Sequence, residues 1–290
     1  MKLYRDFTTQ EEIDREYNAV LMVPDLQPYI DHDTKAGIEA RNELECILSE
    51  RYGPAIDETV DIFPAGKPNA PILIFIHGGY WRSLSSKDFS LIARGPVLNG
   101  ITVVVINYSL CPKVSISEIT RQSRAMVAWL YSEAHRFNGD PERIFVCGHS
   151  AGGQQVGMLV STDWVEEYGL PINIIKGGVP ISGIFDLSPL YYSWLQPTIQ
   201  LTHKTILRQS PLLRIPQIAP PLLISVGENE SDEFKRQSTD YLSAWQKNGL
   251  QGELLIQPGK NHFTTFHDLN NADSPLCMSL IEFMTQCESL

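Results

Sequence analysis

The chain of 290 residues carries 23 Lys and Arg against 34 Asp and Glu, a formal charge of −11, and 43% of its residues are hydrophobic. That length and apolar content suffice for one large α/β domain over residues 1–290 with appended cap segments, so a second independent domain is unnecessary. The acidity, with no dense Lys/Arg run to offset it, argues against nucleic acid and anionic membrane as partners.

The opening residues Met1–Phe7 lack the apolar stretch of a secretory signal, and no run approaches a membrane span, so a cytoplasmic location is expected. Five cysteines, at 46, 111, 147, 277 and 287, form an odd set without framework spacing and are expected to be reduced. Residues 9–22 and 34–51 have helical character. Strand-like runs follow at 59–63, 72–77, 101–106, 144–147, 174–181, 222–226 and 253–256. Helix patterns at 86–98, 116–136, 151–162, 233–248 and 275–287 alternate with them. This alternation predicts an α/β fold with a mostly parallel central sheet flanked by helices. Two stretches fall outside it, an N-terminal helical segment at 1–56 and an insertion at 182–216, and both are expected to shape a substrate pocket.

The first motif is Pro71-Ile-Leu-Ile-Phe-Ile-His77-Gly78-Gly79-Tyr80-Trp81, an apolar strand ending in glycines. Such a turn frees backbone N–H groups to face a cavity, where fixed donors to a developing oxyanion are worth about 3–4 kcal/mol each. The donors expected are the N–H groups of Gly79 and Tyr80, with Gly78 allowing the bend, and that of Ala151 further along.

The second is Ile144-Phe-Val-Cys-Gly-His149-Ser150-Ala-Gly152-Gly153, a buried strand running into Gly-x-Ser-x-Gly and a helix. A strand–turn–helix of this kind presents one Ser on a strained turn at the top of a sheet, which makes Ser150 the candidate nucleophile. His149 beside it projects differently and is expected to pack or hydrogen-bond in the turn. Cys147 is expected to be a small buried apolar residue.

A nucleophilic Ser needs a base, and the base an orienting carboxylate, which in this architecture follow in the order Ser, acid, His. Pro221-Leu-Leu-Ile-Ser-Val226 leads into Gly227-Glu-Asn-Glu230-Ser-Asp232-Glu233, and Gly252–Gln257 into Pro-Gly-Lys-Asn-His262. His262 is the expected base, with His267 lying beyond it. Glu230 is favoured as the acid over Asp232, because Asp232 suits the cap of a helix starting near residue 233. The aromatics Tyr191, Tyr192 and Trp194 are candidates for a pocket wall or for anchoring the insertion, and Trp81 is a further candidate for the pocket. No linear metal motif is present, so no metal is expected.

With these residues assembled, the chain resembles the α/β-hydrolase superfamily and, more narrowly, arylformamidase (kynurenine formamidase)-like esterases. The resemblance rests on His77-Gly-Gly-Tyr-Trp81, Gly148-His-Ser-Ala-Gly-Gly153, Ser182-Gly-Ile-Phe-Asp-Leu-Ser-Pro189, Gly227–Ser238 and Asn261-His-Phe263. It implies a cofactor-free serine hydrolase of small aryl formamides or carboxylic esters. One departure is Glu230, where the formamidase pattern commonly has Asp. The partner implied is a small-molecule ester or amide, and the sequence leaves a homodimer open. The rival from another class is a ligand-binding protein on the same fold, which would often lack a member of the triad.

Overall fold

The computed structural model describes residues 2–289. Its helices are α1 (Gln10–Tyr17), α2 (Gln27–Glu43), α3 (Arg94–Leu98), α4 (Ile116–Glu133), α5 (Ala151–Val160), α6 (Trp164–Tyr168), α7 (Gln196–Ile199), α8 (His203–Gln209), α9 (Asp232–Lys247) and α10 (Pro275–Glu288). The strands are β1 (Ile47–Arg51), β2 (Thr59–Phe63), β3 (Ala70–Ile76), β4 (Thr102–Ile106), β5 (Gly139–His149), β6 (Ile175–Ile181), β7 (Leu222–Gly227) and β8 (Gly252–Gln257). They form one eight-stranded sheet in the order β1-β2-β4-β3-β5-β6-β7-β8. The β1–β2 and β2–β4 pairs are antiparallel and the remaining pairs parallel.

The central strands are apolar throughout because both faces of the sheet are covered. On β3, Ile72, Ile74 and Ile76 enter the core cluster that includes Met126, Val156 and Phe234 of α4, α5 and α9. The alternating Leu73 and Phe75 enter the opposite cluster with Phe89, Leu280 and Met284. This period-2 division fixes the register, since a slip of one residue would exchange the two cores. The parallel strands end along one edge of the sheet, where β3, β5, β7 and β8 deliver all the motif-bearing turns.

The helical reading of 34–51 is corrected at its second half. Helix α2 stops at Glu43, and Ile47–Arg51 is an edge strand paired through Ile47 with Ile62. A short mixed apolar run fits either period, and the decision came from pairing with β2, where Asp61 Oδ1 accepts the Ser49 N–H at 2.8 Å. The 86–98 helix is mostly 3₁₀ turn over Ser86–Ala93, passing into α3. Ser231, rather than Asp232, caps α9, accepting the Phe234 N–H.

The segment before β1 is held against the rest through buried polar contacts. Tyr17 Oη donates to Glu233 Oε2 at 2.6 Å and accepts from Gln237 Nε2 at 2.9 Å. Arg236 grips the same carboxylate with two nitrogens at 2.7 Å. Burial pushes the Glu233 carboxyl up, but the bonds from Arg236 and Tyr17 outweigh it and hold it below the usual range. The insertion at 182–216 folds as short helices, α7, α8 and 3₁₀ turns, packed on α1, α4 and α9.

Candidate active site

Ser150 stands between β5 and α5 at φ 57°, ψ −115°, a conformation that an L-residue keeps only when its surroundings impose it. The Ser150 N–H donates to Ile181 O of β6 at 2.8 Å, and Ser150 O accepts the Gln154 N–H at 3.1 Å, so the turn is tied on both sides. Glycine at 152 is a steric requirement, because a Cβ there would lie 1.9 Å from Ile76 O. The turn is therefore built by a helix start pressed against the end of β3.

Three distant groups meet there. Ser150 Oγ is 3.1 Å from His262 Nε2, and His262 Nδ1 is 2.7 Å from Glu230 Oε2. An ionised carboxylate only accepts, so Nδ1 carries the proton and Nε2 presents its lone pair to the Ser150 hydroxyl. Glu230 is fully buried, and its other oxygen accepts from Ser182 Oγ at 2.5 Å and from the Gly227 N–H at 2.8 Å. Asp232 is not part of this chain of contacts. Its side chain is 94% exposed in the first turn of α9 and pairs with Lys235 at 3.1 Å. In the sequence Ser182 stands only as the first residue of a resemblance motif, with no role at the site; the structure places it directly after β6 at φ 51°.

His149 holds the base rather than competing with it. Its Nε2–H donates to His262 O at 2.9 Å, and its ring packs 4.7 Å from the His262 ring. Burial, and then the neighbouring His262, push its pKa well below the ordinary imidazole value, so it stays neutral. Burial likewise lowers His77 to about 4, where it stacks on Tyr108 at 4.1 Å.

Gly79, at φ 99°, and Tyr80, at φ 50°, turn the chain after β3 toward Ser150. Among the described residues no acceptor takes the backbone N–H of Gly79, Tyr80 or Ala151. Gly78 lies behind them: a Cβ there would stand 3.1 Å from His149 Nδ1 and 3.2 Å from Ser150 Cβ, so its place is in the packing of the turn. The Tyr80 hydroxyl donates to Tyr17 O, which ties this loop to the N-terminal segment.

A cavity of about 520 Å³ opens over Ser150 and His262. Its walls are apolar: Val20, Leu26, Tyr29 and Ile30 from the N-terminal segment, Leu84 and Phe89 after β3, Trp194 from the insertion, and Phe263 and Phe266 beyond the base. Of the four aromatics expected there, only Trp194 lines it, with its ring edge-on to Tyr80 at 5.4 Å. Trp81 is corrected to a core residue, fully buried and donating through Nε1 to Gln154 Oε1 at 3.0 Å. Tyr191 and Tyr192 pack on each other and, with His203, border a separate cleft. The sequence points to the N-terminal wall only as a segment, because nothing in its local pattern says what it covers. Arg82 at the mouth makes no ion pair among the described residues.

Residues 60–245 match the protein-family model BD-FAE. Kynurenine formamidase of Salmo salar is 31% identical over 259 residues, covering 86% of each chain, and that of Danio rerio is 30% identical over 258 residues with the same coverage. A crystal structure of a candidate thioesterase from Silicibacter sp. tm1040 superposes with a TM-score of 0.79 at 26% identity, covering 92% of this chain and 98% of that one. Among the described residues no helix is long and apolar enough to cross a membrane.

Proposed function

The chain belongs to the BD-FAE family of α/β-hydrolases, and from that membership we propose that it is a serine hydrolase that cleaves small aryl formamides and carboxylic esters through an acyl-enzyme on Ser150. The observation that carries this reading is the unbroken contact series Glu230–His262–Ser150, at 2.7 and 3.1 Å, on the floor of an apolar cavity.

In this mechanism Ser150 Oγ attacks the substrate carbonyl carbon while His262 Nε2 takes its proton, and Glu230 orients and stabilises the imidazolium. The N–H groups of Gly79, Tyr80 and Ala151 receive the oxyanion, and their lack of a protein acceptor supports this role. Collapse breaks the C–N or C–O bond, and His262 passes the proton to the leaving amine or alcohol. A water molecule, deprotonated by His262, then attacks the acyl-enzyme, releases the carboxylic acid and returns Ser150 to its starting state.

The apolar walls suit an aryl group on the leaving side, and Arg82, without an ion pair among the described residues, suits an anionic group at the far end of such a substrate. The kynurenine formamidase relatives favour a formyl group on the acyl side. A second reading, a carboxylesterase with no formamidase role, is favoured by the cavity volume, which exceeds what a formyl group requires, and by Glu at position 230. A panel pairing N-formyl-aryl amines with short-chain aryl and alkyl esters decides between them. The formamidase reading expects the formyl amines to have the higher kcat/KM; turnover of esters alone would leave the carboxylesterase.

A further inference from the structure

We propose that His32, Asp33 and His267 form a binding site for a divalent transition-metal ion of borderline softness, such as Zn²⁺, which clasps the wall of the catalytic cavity to the loop carrying His262. The three residues belong to two parts of the chain, α2 and the turn that follows Phe266, and their donor atoms lie within 4.8 Å of one another. Asp33 Oδ1 is 2.7 Å from His267 Nε2 and 3.1 Å from His32 Nδ1. Tetrahedral ligands on zinc at bond lengths of about 2.0–2.2 Å stand roughly 3.4 Å apart, so each Asp33 contact is near ligand spacing while His32 has to reorient to join them. Two imidazole nitrogens and one carboxylate oxygen are a set that borderline metals take in preference to Mg²⁺ or Ca²⁺.

The state of His267 supports an ion over a simple hydrogen-bonded cluster. Its Nε2 is covered from solvent, and its approach to Asp33 lacks the alignment of a hydrogen bond. That nitrogen therefore has no hydrogen-bond partner among the described residues. His32 lies face to face with His267, with ring centroids 4.3 Å apart and an interplanar angle of 24°. Two stacked rings cannot point nitrogens at one ion, so ligation requires His32 to turn out of its stack on His267 and re-form its contact with Asp33; its side chain is 49% exposed, which leaves room for that turn. The fourth position of a tetrahedral ion falls to water.

The location gives the ion a mechanical role apart from the chemistry at Ser150. Tyr29 and Ile30, one turn earlier on α2, line the cavity, while His267 follows His262 by five residues. The two parts already touch through Asn261 Nδ2, which donates to Tyr29 Oη at 2.9 Å, and through the Tyr29 and Phe263 rings at 5.4 Å. An ion would add a second fastening, and because it binds the folded arrangement alone it raises stability with concentration.

The test is titration of the full-length chain, stripped with a chelator, with Zn²⁺ followed by calorimetry and thermal unfolding, and with Co²⁺ followed by its visible absorption. The expected result is saturable uptake of about one ion per chain with a Tm that climbs with Zn²⁺, and no response to Mg²⁺. His32→Ala, Asp33→Asn and His267→Ala should each weaken uptake by more than the roughly hundredfold upper limit for loss of an outer-shell partner. His203→Ala, on the cap, should leave it unchanged. Absence of saturable uptake overturns the proposal, as does uptake that survives both Asp33→Asn and His267→Ala. Should His267→Ala fail to fold, His32→Ala at the exposed position decides instead, and unchanged uptake there overturns the proposal. None of these readouts depends on turnover, so failure of the clasp and failure of the hydrolase reading are separate results.

Discussion

The turns at the ends of the strands and the segments that cover them are built by different physics. Ser150, His262, Glu230 and the 77–80 loop are placed by backbone: a strand ends, a glycine permits a close approach, and the side chain has little freedom left. The cover, made of α1, α2 and the 182–216 insertion, is placed by docking, through contacts such as Tyr17 with Glu233 and Trp194 N–H with Asp14 Oδ1 at 3.0 Å. The first region therefore carries proposed chemistry that substitutions destroy outright, while the second carries a shape that substitutions retune.

That contrast can be broken most directly at Ser150. Ser150→Ala should lower kcat/KM for p-nitrophenyl acetate by about 10⁴-fold or more, and activity near that of the unmodified chain would remove Ser150 from the mechanism. Next in size is the acid. Glu230→Gln is expected to lower kcat by about 10³–10⁴-fold while Asp232→Asn leaves it intact, and the reverse result would move the acid into α9.

The third prediction concerns pH. His77, lowered to about 4, and His149, held well below its ordinary value, are neutral in the folded chain. The unfolded chain therefore binds more protons below pH of about 6.5, so stability present above that value is lost as pH falls toward 4, amounting to a few kcal/mol. Chemical denaturation across this range should show it, and His77→Phe should flatten the slope if it folds; a slope unchanged by that substitution would assign the loss to other groups.

Smaller effects are expected in the cover. Tyr17→Phe removes the hydroxyl that bridges Glu233 and Gln237 in a buried site and should lower unfolding free energy by about 1–3 kcal/mol. Its effect on kcat should stay far below that of Glu230→Gln; an equal loss would show the two regions to be one unit. Smallest of all, Trp194→Ala should raise KM for an aryl formamide roughly tenfold with little change for acetate esters, whereas Tyr192→Ala should not discriminate between them. Equal effects of the two would return Tyr192 to the pocket.

The strand-end region was legible because its signals are local. Gly148 and Gly152 flank Ser150 within five residues, and each motif directly follows an apolar run, so the order of motifs and the expectation of a mostly parallel sheet came from pattern alone. Three outcomes that local pattern did not settle share one cause. Ile47–Arg51 has no period that distinguishes helix from strand, Trp81 sits in a motif whose side chain turns inward, and Tyr191 and Tyr192 share a short turn with Trp194 yet face another cleft. In each, a neighbour distant in sequence made the decision.

Local pattern was enough for the layered α/β arrangement and for naming candidate residues for acyl transfer, since both readings depend on backbone periodicity and on turns a few residues long. Only the tertiary structure decided that Glu230 rather than Asp232 meets His262, that Ser182 holds that carboxylate, and that Val20, Tyr29 and Ile30 wall the cavity. The physical reason is separation along the chain: these choices join residues tens to hundreds of positions apart, and burial of whole faces selects them where no local pattern can.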